Sequence, residues 1–285
     1  MTETTFSRRT IFRKKLVMPT EHGAWAWLII PFLVGAVVAG KSGPFDQNAA
    51  LSLLLTFVSG LSAFLLRQPA SVWLRARQGK GRRADERLAA GWSLALAALA
   101  GLCLLGLLAL ARIVLLWLLA PFTALLGLYL VAALKGRAER RALWTELVGA
   151  AGLALMAPAA FIAATGRLDR VSWALWVIMG TQNILSVFYV RLRLADTHQR
   201  PAGRPAVFGV HLAGVVIVWG VSLTGLAPLL AVLPFVPFLG RAAWVARRPR
   251  PVYNVRRFGF TELWIETLAG LWVAASYWSC GNWMY

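Results

Sequence analysis

The sequence predicts an all-α polytopic membrane protein with about nine transmembrane helices. Three observations carry that prediction. The 285 residues are 59% hydrophobic and only 14% charged, where a soluble domain carries about a quarter charged residues. Nine apolar runs have the length needed to cross the bilayer, which takes about 20 residues for roughly 30 Å of hydrocarbon. The positive charge gathers in every second gap between those runs.

The runs fall at 23–40, 49–66, 89–110, 113–134, 144–165, 171–190, 206–223, 226–245 and 260–279. The first follows Arg8, Arg9, Arg13, Lys14 and Lys15. Such a start resembles a signal peptide, but the run is too long and leads into further spans, so it reads as a retained anchor. Thr20 is a candidate N-cap with Glu21 behind it. The second run is expected to end or bend at Pro69, which has no amide proton to donate. Arg112 alone parts the third run from the fourth. Glu146 opens the fifth, where negative charge favours a helix start. The seventh and eighth meet at Thr224-Gly225. Little chain remains between runs, so the expected organisation is a basic cytoplasmic segment, 1–22, and one transmembrane helical domain, 23–285.

Of the 30 Lys and Arg, 26 lie before the first run or in and beside alternate gaps; the exceptions are Lys41, Arg112, Arg167 and Arg170. Cytoplasmic loops carry the Lys/Arg excess. The N-terminus is therefore expected in the cytoplasm and the C-terminus outside, in an inner (cytoplasmic) membrane. A net charge of +19 would suit nucleic acid, but no basic patch lies on a soluble surface, so no nucleic acid is expected as a partner. Trp25, Trp27, Trp264, Trp278 and Trp283 read as interfacial anchors. Cys103 and Cys280 are too few and too far apart for a metal or disulfide framework.

Ionisable and amide side chains inside spans are costly and so mark candidate sites. Gln182, Ser186, Tyr189, Arg193 and Asp196 are spaced four, three, four and three residues apart. On one helix they form a single stripe, with Asn183 beside it. Such a stripe lines a cavity or glues helices together. Glu262 and Glu266, four apart, share a face of the ninth run; they are candidates for acid–base work, and Glu262 also suits a helix cap. Arg67, Gln68 and Arg75 follow the second run, where an arginine fork can clamp an anion. His22 precedes the first run and is a candidate hydrogen-bonding partner. Glu21, His22, Arg67, Glu146, Arg193, Asp196, Glu262 and Glu266 all fall at the basic ends of their runs, which suggests one polar site opening inward.

The segment Pro19-Thr20-Glu21-His22-Gly23-Ala24-Trp25, the triplet Arg67-Gln68-Pro69 and the pattern Arg257-x-Gly259-x-x-Glu262 resemble the YwiC-like family of bacterial membrane proteins. That family brings no established activity with it. Nine spans with an inward N-terminus and polar loops after spans two and six also resemble UbiA-type intramembrane prenyltransferases. Their resemblance implies a UbiA-like bundle, but the aspartate-rich loops that bind Mg²⁺ and diphosphate in those enzymes are missing: loop six–seven offers Asp196 alone, with Arg193 one turn before it.

The expectation is a protein that binds membrane lipid, an isoprenoid or quinone, in a cytoplasm-facing intramembrane cavity. Arg67 and Arg193 would hold the head group, and Asp196, Glu262 and Glu266 would be the acid–base candidates. Transport of a small anion or metabolite, and assembly of a respiratory membrane complex, stay open as alternatives. The residues identify neither a metal site nor a cofactor.

Overall fold

The computed structural model describes residues 18, 23–43, 45–79, 82, 85–136 and 142–279. Among these residues the regular structure is helical throughout, with no strand. Ten α-helices run in chain order: α1 Gly23–Ala39, α2 Gln47–Arg77, α3 Glu86–Ala109, α4 Leu119–Lys135, α5 Leu143–Leu153, α6 Met156–Thr165, α7 Arg170–Thr197, α8 Arg204–Leu223, α9 Phe235–Arg247 and α10 Val255–Ser279. Short 3₁₀ turns extend α1 at Gly40–Ser42 and precede α4 and α9 at Ile113–Leu118 and Leu229–Val232.

Eight stretches among the described residues are helical, long and apolar enough to span a membrane, the first at Gly23–Ser42 and the last at Leu229–Arg247. The ninth predicted run is α10, whose 25 residues make a helix about 38 Å long at 1.5 Å per residue. It is not among those eight stretches, and it carries two glutamates and two arginines. The chain is thus an all-helical, multi-pass membrane protein.

Helix boundaries follow local chemistry. Asp46 caps α2 by accepting from the Ala49 amide at 2.6 Å, and Asp169 with Ser172 forms a capping box at the start of α7. Gly166 ends α6 in the left-handed conformation, φ +72°. The expected end or bend at Pro69 does not terminate the helix: α2 continues two further turns, to Arg77. The fifth run is instead broken in its middle, between α5 and α6. Pro158 lacks the amide that would bond Ala154, and its ring crowds that carbonyl, so the ladder restarts at Met156.

Burial separates a centre from a rim. Two thirds of the span formed by α5 and α6 is buried, against 22% for α3 and 11% for the span ending in α4. Helix α1 lies between α6 and α10, packing on both. Its Ile30 and Val34 join Phe161 of α6, Ile178 and Met179 of α7, and Val273 of α10 in the main core. Small residues allow this approach: a Cβ on Gly35 would stand 2.1 Å from the Ala157 carbonyl oxygen, and one on Gly270 2.4 Å from Ile30. The end opposite the basic loops is fastened by Lys41 donating to the Tyr277 carbonyl, Trp278 Nε1 donating to Val37 O at 3.0 Å, and Arg112 Nε donating to Ser52 at 3.2 Å.

Gly35→Ala is expected to cost about 1–3 kcal/mol through overpacking against backbone that has no rotamer to yield. Gly149→Ala, whose added Cβ meets nothing within 4 Å, is expected to leave stability unchanged or raise it. Thermal unfolding of the purified variants in detergent checks the pair.

Candidate functional site

The stripe on α7 and the two glutamates of α10 come together near the basic-loop end, around a cation the sequence reading counted as loop charge. Arg241, on α9, donates from Nη1 to Glu262 Oε2 at 2.7 Å. The side chains of this pair are only 14% and 9% exposed. The guanidinium lies against two rings, 4.2 Å from the centroid of Tyr189 and 4.6 Å from that of Phe238. Arg193, one turn beyond Tyr189, donates to the Tyr189 hydroxyl at 3.0 Å and packs over Phe258 at 5.0 Å. Its Nε donates to the main-chain carbonyl of Arg250 at 2.9 Å.

Glu266 sits one turn deeper and is buried. The Ser186 hydroxyl and the Trp27 indole both lie near its carboxyl, and the indole N–H has no hydrogen-bond partner among the described residues. Gln182 Nε2 donates to the Glu266 main-chain carbonyl at 3.0 Å. From α8, His211 presents its ring edge to Tyr189, with centroids 6.5 Å apart, and pairs Nδ1 with Val207 O at 2.8 Å. Among the described residues, four buried polar atoms around this cluster lack a hydrogen-bond partner: Gln182 Oε1, His211 Nε2, Arg241 Nε and Trp27 Nε1. Each unmade bond of this kind costs about 1–3 kcal/mol. A polar ligand offering both donors and acceptors would recover part of that cost.

Other predicted site residues are engaged in the frame. Asn183 spends its amide on two carbonyls, Trp27 O at 3.2 Å and Ala150 O at 3.0 Å. The first of these is the carbonyl that Pro31, four residues on, cannot satisfy. Asp196 pairs with Arg204 and accepts from the Arg250 amide at 2.7 Å, so both its oxygens are taken. Thr197 accepts from the Val252 amide at 2.8 Å. Together they clip the strap between α9 and α10 onto the end of α7. Arg67 lies 4.4 Å from the Phe64 centroid and 5.1 Å from that of Tyr129, within the α2–α4 group. Gln68 accepts from Ser71 through its carbonyl, and Arg75 Nε donates to Ser71 O. None of these contacts reaches Arg193. His22 lies outside the described residues. The Trp27 indole N–H is buried inside the bundle.

Arg241, His211 and Trp27 were missed as site residues. The signal for Arg241 was present: it interrupts the predicted run 226–245 before its end. For His211, a lone histidine inside the run 206–223 carries the same message.

Fold and cluster together define a class, multi-pass helical membrane proteins that hold an ion pair and a second carboxyl inside the bundle. The chain belongs to the YwiC-like family, whose model, described as YwiC-like protein, matches residues 18–161. A curated relative, the uncharacterized protein YwiC of Bacillus subtilis (strain 168), is 38% identical over 66 residues, which is 23% of this chain. The alignment spans 24% of that relative's length. No solved structure matches the chain. The matched residues include Arg67, Gln68 and Arg75 but stop short of α7, so the reading of the α7–α10 cluster stands on geometry alone.

Arg241→Met, which strands the Glu262 carboxylate without this cation, is expected to cost about 3–5 kcal/mol; adding Glu262→Leu should restore most of it, because an apolar pair replaces a buried ion pair without penalty. Unfolding midpoints of both singles and the double test this, and a double variant no better than Arg241→Met contradicts it. Separately, Asp196→Ala should release the strap and speed tryptic cleavage after Arg247, the basic residue at the start of the strap that is not followed by proline. Glu146→Ala, which removes a half-exposed pair with Arg191, should leave the digestion rate as it was.

Proposed function

We propose that the protein binds an amphipathic membrane lipid of isoprenoid or quinone type, with its head group at the Arg193–Arg241–Glu262–Glu266 cluster and its tail among the helices. One observation carries this reading: the Arg241–Glu262 pair and the buried Glu266 carboxyl, with the half-buried Arg193 beside them, lie near four buried polar atoms that have no partner among the described residues. Interhelical hydrogen bonds from uncharged side chains hold bundles together at about 0.6–2 kcal/mol each, so charge is not needed there as glue. Arginine forks suit an anionic or carbonyl head group, and the rings of Tyr189, Phe238 and Phe258 give the first part of a chain an apolar wall. With the basic loops in the cytoplasm, the site opens to the inner leaflet of the cytoplasmic membrane. Glu262 and Glu266 are the groups placed to exchange protons with a bound head group; Asp196, with both oxygens engaged, supports the strap.

Protein purified in mild detergent is expected to carry an isoprenoid or quinone at near-equal amount, identified by mass spectrometry of its organic extract. Arg193→Ala and Arg241→Ala should each reduce retention about tenfold or more, the worth of a charge-assisted hydrogen bond. Arg67→Ala should retain the lipid. A wild-type preparation carrying none overturns the reading, and loss on Arg67→Ala alone moves the site to α2 and α4.

A second reading, proton-coupled movement of a small anion, is favoured by one feature, the buried carboxyl of Glu266 in the interior of a span. Uptake into proteoliposomes driven by a pH gradient would separate the two.

A further inference from the structure

We infer that the head group taken by this site is a dihydroxy aromatic ring, the reduced or quinol form of a quinone, in preference to an oxidised quinone or a diphosphate. The inference rests on the head-group reading above and narrows its ligand class. It comes from two buried side chains, His211 at 0% exposure and Gln182 at 2%. Each commits its donor to a main-chain carbonyl. His211 Nδ1 pairs with Val207 O at 2.8 Å, and Gln182 Nε2 with Glu266 O at 3.0 Å. A carbonyl only accepts. Nδ1 therefore carries an imidazole proton, and the Gln182 amide turns its NH₂ toward α10.

The chemistry of the opposite ends follows. His211 and Arg241 both face the Tyr189 ring, and a second cation buried there without a carboxylate on Nε2 would be strongly disfavoured. The imidazole is therefore neutral, and Nε2 presents a lone pair. Gln182 Oε1 presents its own lone pairs. Two buried acceptors result, and no donor among the described residues reaches either. A head group that displaces water from such atoms loses affinity unless it replaces the bonds. Quinone carbonyls and ionised diphosphate oxygens do not donate. A single hydroxyl, as on an isoprenoid alcohol, does not reach both acceptors. Tyr189, which His211 meets edge-on, comes two turns after Gln182, about 10 Å along α7, whereas a hydroxyl donates over about 2.8 Å. Two hydroxyls on opposite sides of a six-membered ring divide that distance between them. Their oxygens also accept, which suits Arg241 Nε, a donor without a partner among the described residues.

The test uses full-length protein in phosphatidylcholine nanodiscs, with empty nanodiscs as the blank, and three probes sharing one tail. These are 2-decylhydroquinone, its 1,4-dimethyl ether and 2-decyl-1,4-benzoquinone, compared by equilibrium binding in the absence of oxygen. The hydroquinone should bind about tenfold or more tightly than either of the others, because each lost donor leaves a buried acceptor bare. His211→Phe and Gln182→Leu should each shrink that preference severalfold while affinity for the benzoquinone stays as it was. A purely structural defect would weaken all three probes alike, and the wild-type ratio tests the inference even if neither variant folds. Ether or benzoquinone bound as tightly as the hydroquinone, or a preference that survives both substitutions, overturns the donor requirement and leaves the head-group site standing. Absence of binding of all three probes by the wild type overturns both.

Discussion

Inside hydrocarbon every peptide group has to find its partner within the protein, and here one side chain meets that demand for two helices. Pro31 leaves the Trp27 carbonyl of α1 without its helical donor, and the break before Pro158 loosens the ladder at the end of α5. Asn183 reaches both from mid-α7, giving Trp27 O a donor and adding a second donor to Ala150 O, which the Ala154 amide also reaches at 3.3 Å. Trp176, two turns earlier, closes the neighbouring Ala151 carbonyl at 2.9 Å. These bonds fix α7 against α1 and α5.

That fixture decides where the remaining polar residues of α7 can go. With Asn183 turned to α1 and α5, Gln182 reaches the backbone of α10, Ser186 the Glu266 carboxyl, and Tyr189 the guanidinium from α9. Packing of α1 between α6 and α10, made close by Gly35 and Gly270, brings the Glu266 turn into range. The ion pair is thus a product of the frame. Its own contribution to stability is modest, because the charges were costly to bury; what it adds is a reason for α9 and α10 to meet at one particular level.

Much of this was legible in the chain. The spans follow from apolar length, and the α7 stripe and the α10 glutamates from helical spacing, since both are properties of single segments. Partners were harder to read. Arg241 looked like orientation charge because it resembles the other basic residues near its loop, and only tertiary packing sets it against Glu262. Asn183 and Asp196 looked like site residues because spacing reports a face and not what the face meets. Pro69 and Pro158 show the same limit. One is tolerated within a continuing helix and the other coincides with a break, and residue type alone does not tell the two apart.

The clip at the end of α7 has one more implication. Arg193 is oriented by a peptide oxygen at position 250, while the Arg250 side chain turns away to lie 4.0 Å from the Trp244 ring centroid. A peptide oxygen is the same whichever amino acid supplies it. Selection acting on this connection should accordingly tolerate exchange of residue type but resist any gain or loss of length, the reverse of how a solvent-facing tether usually drifts.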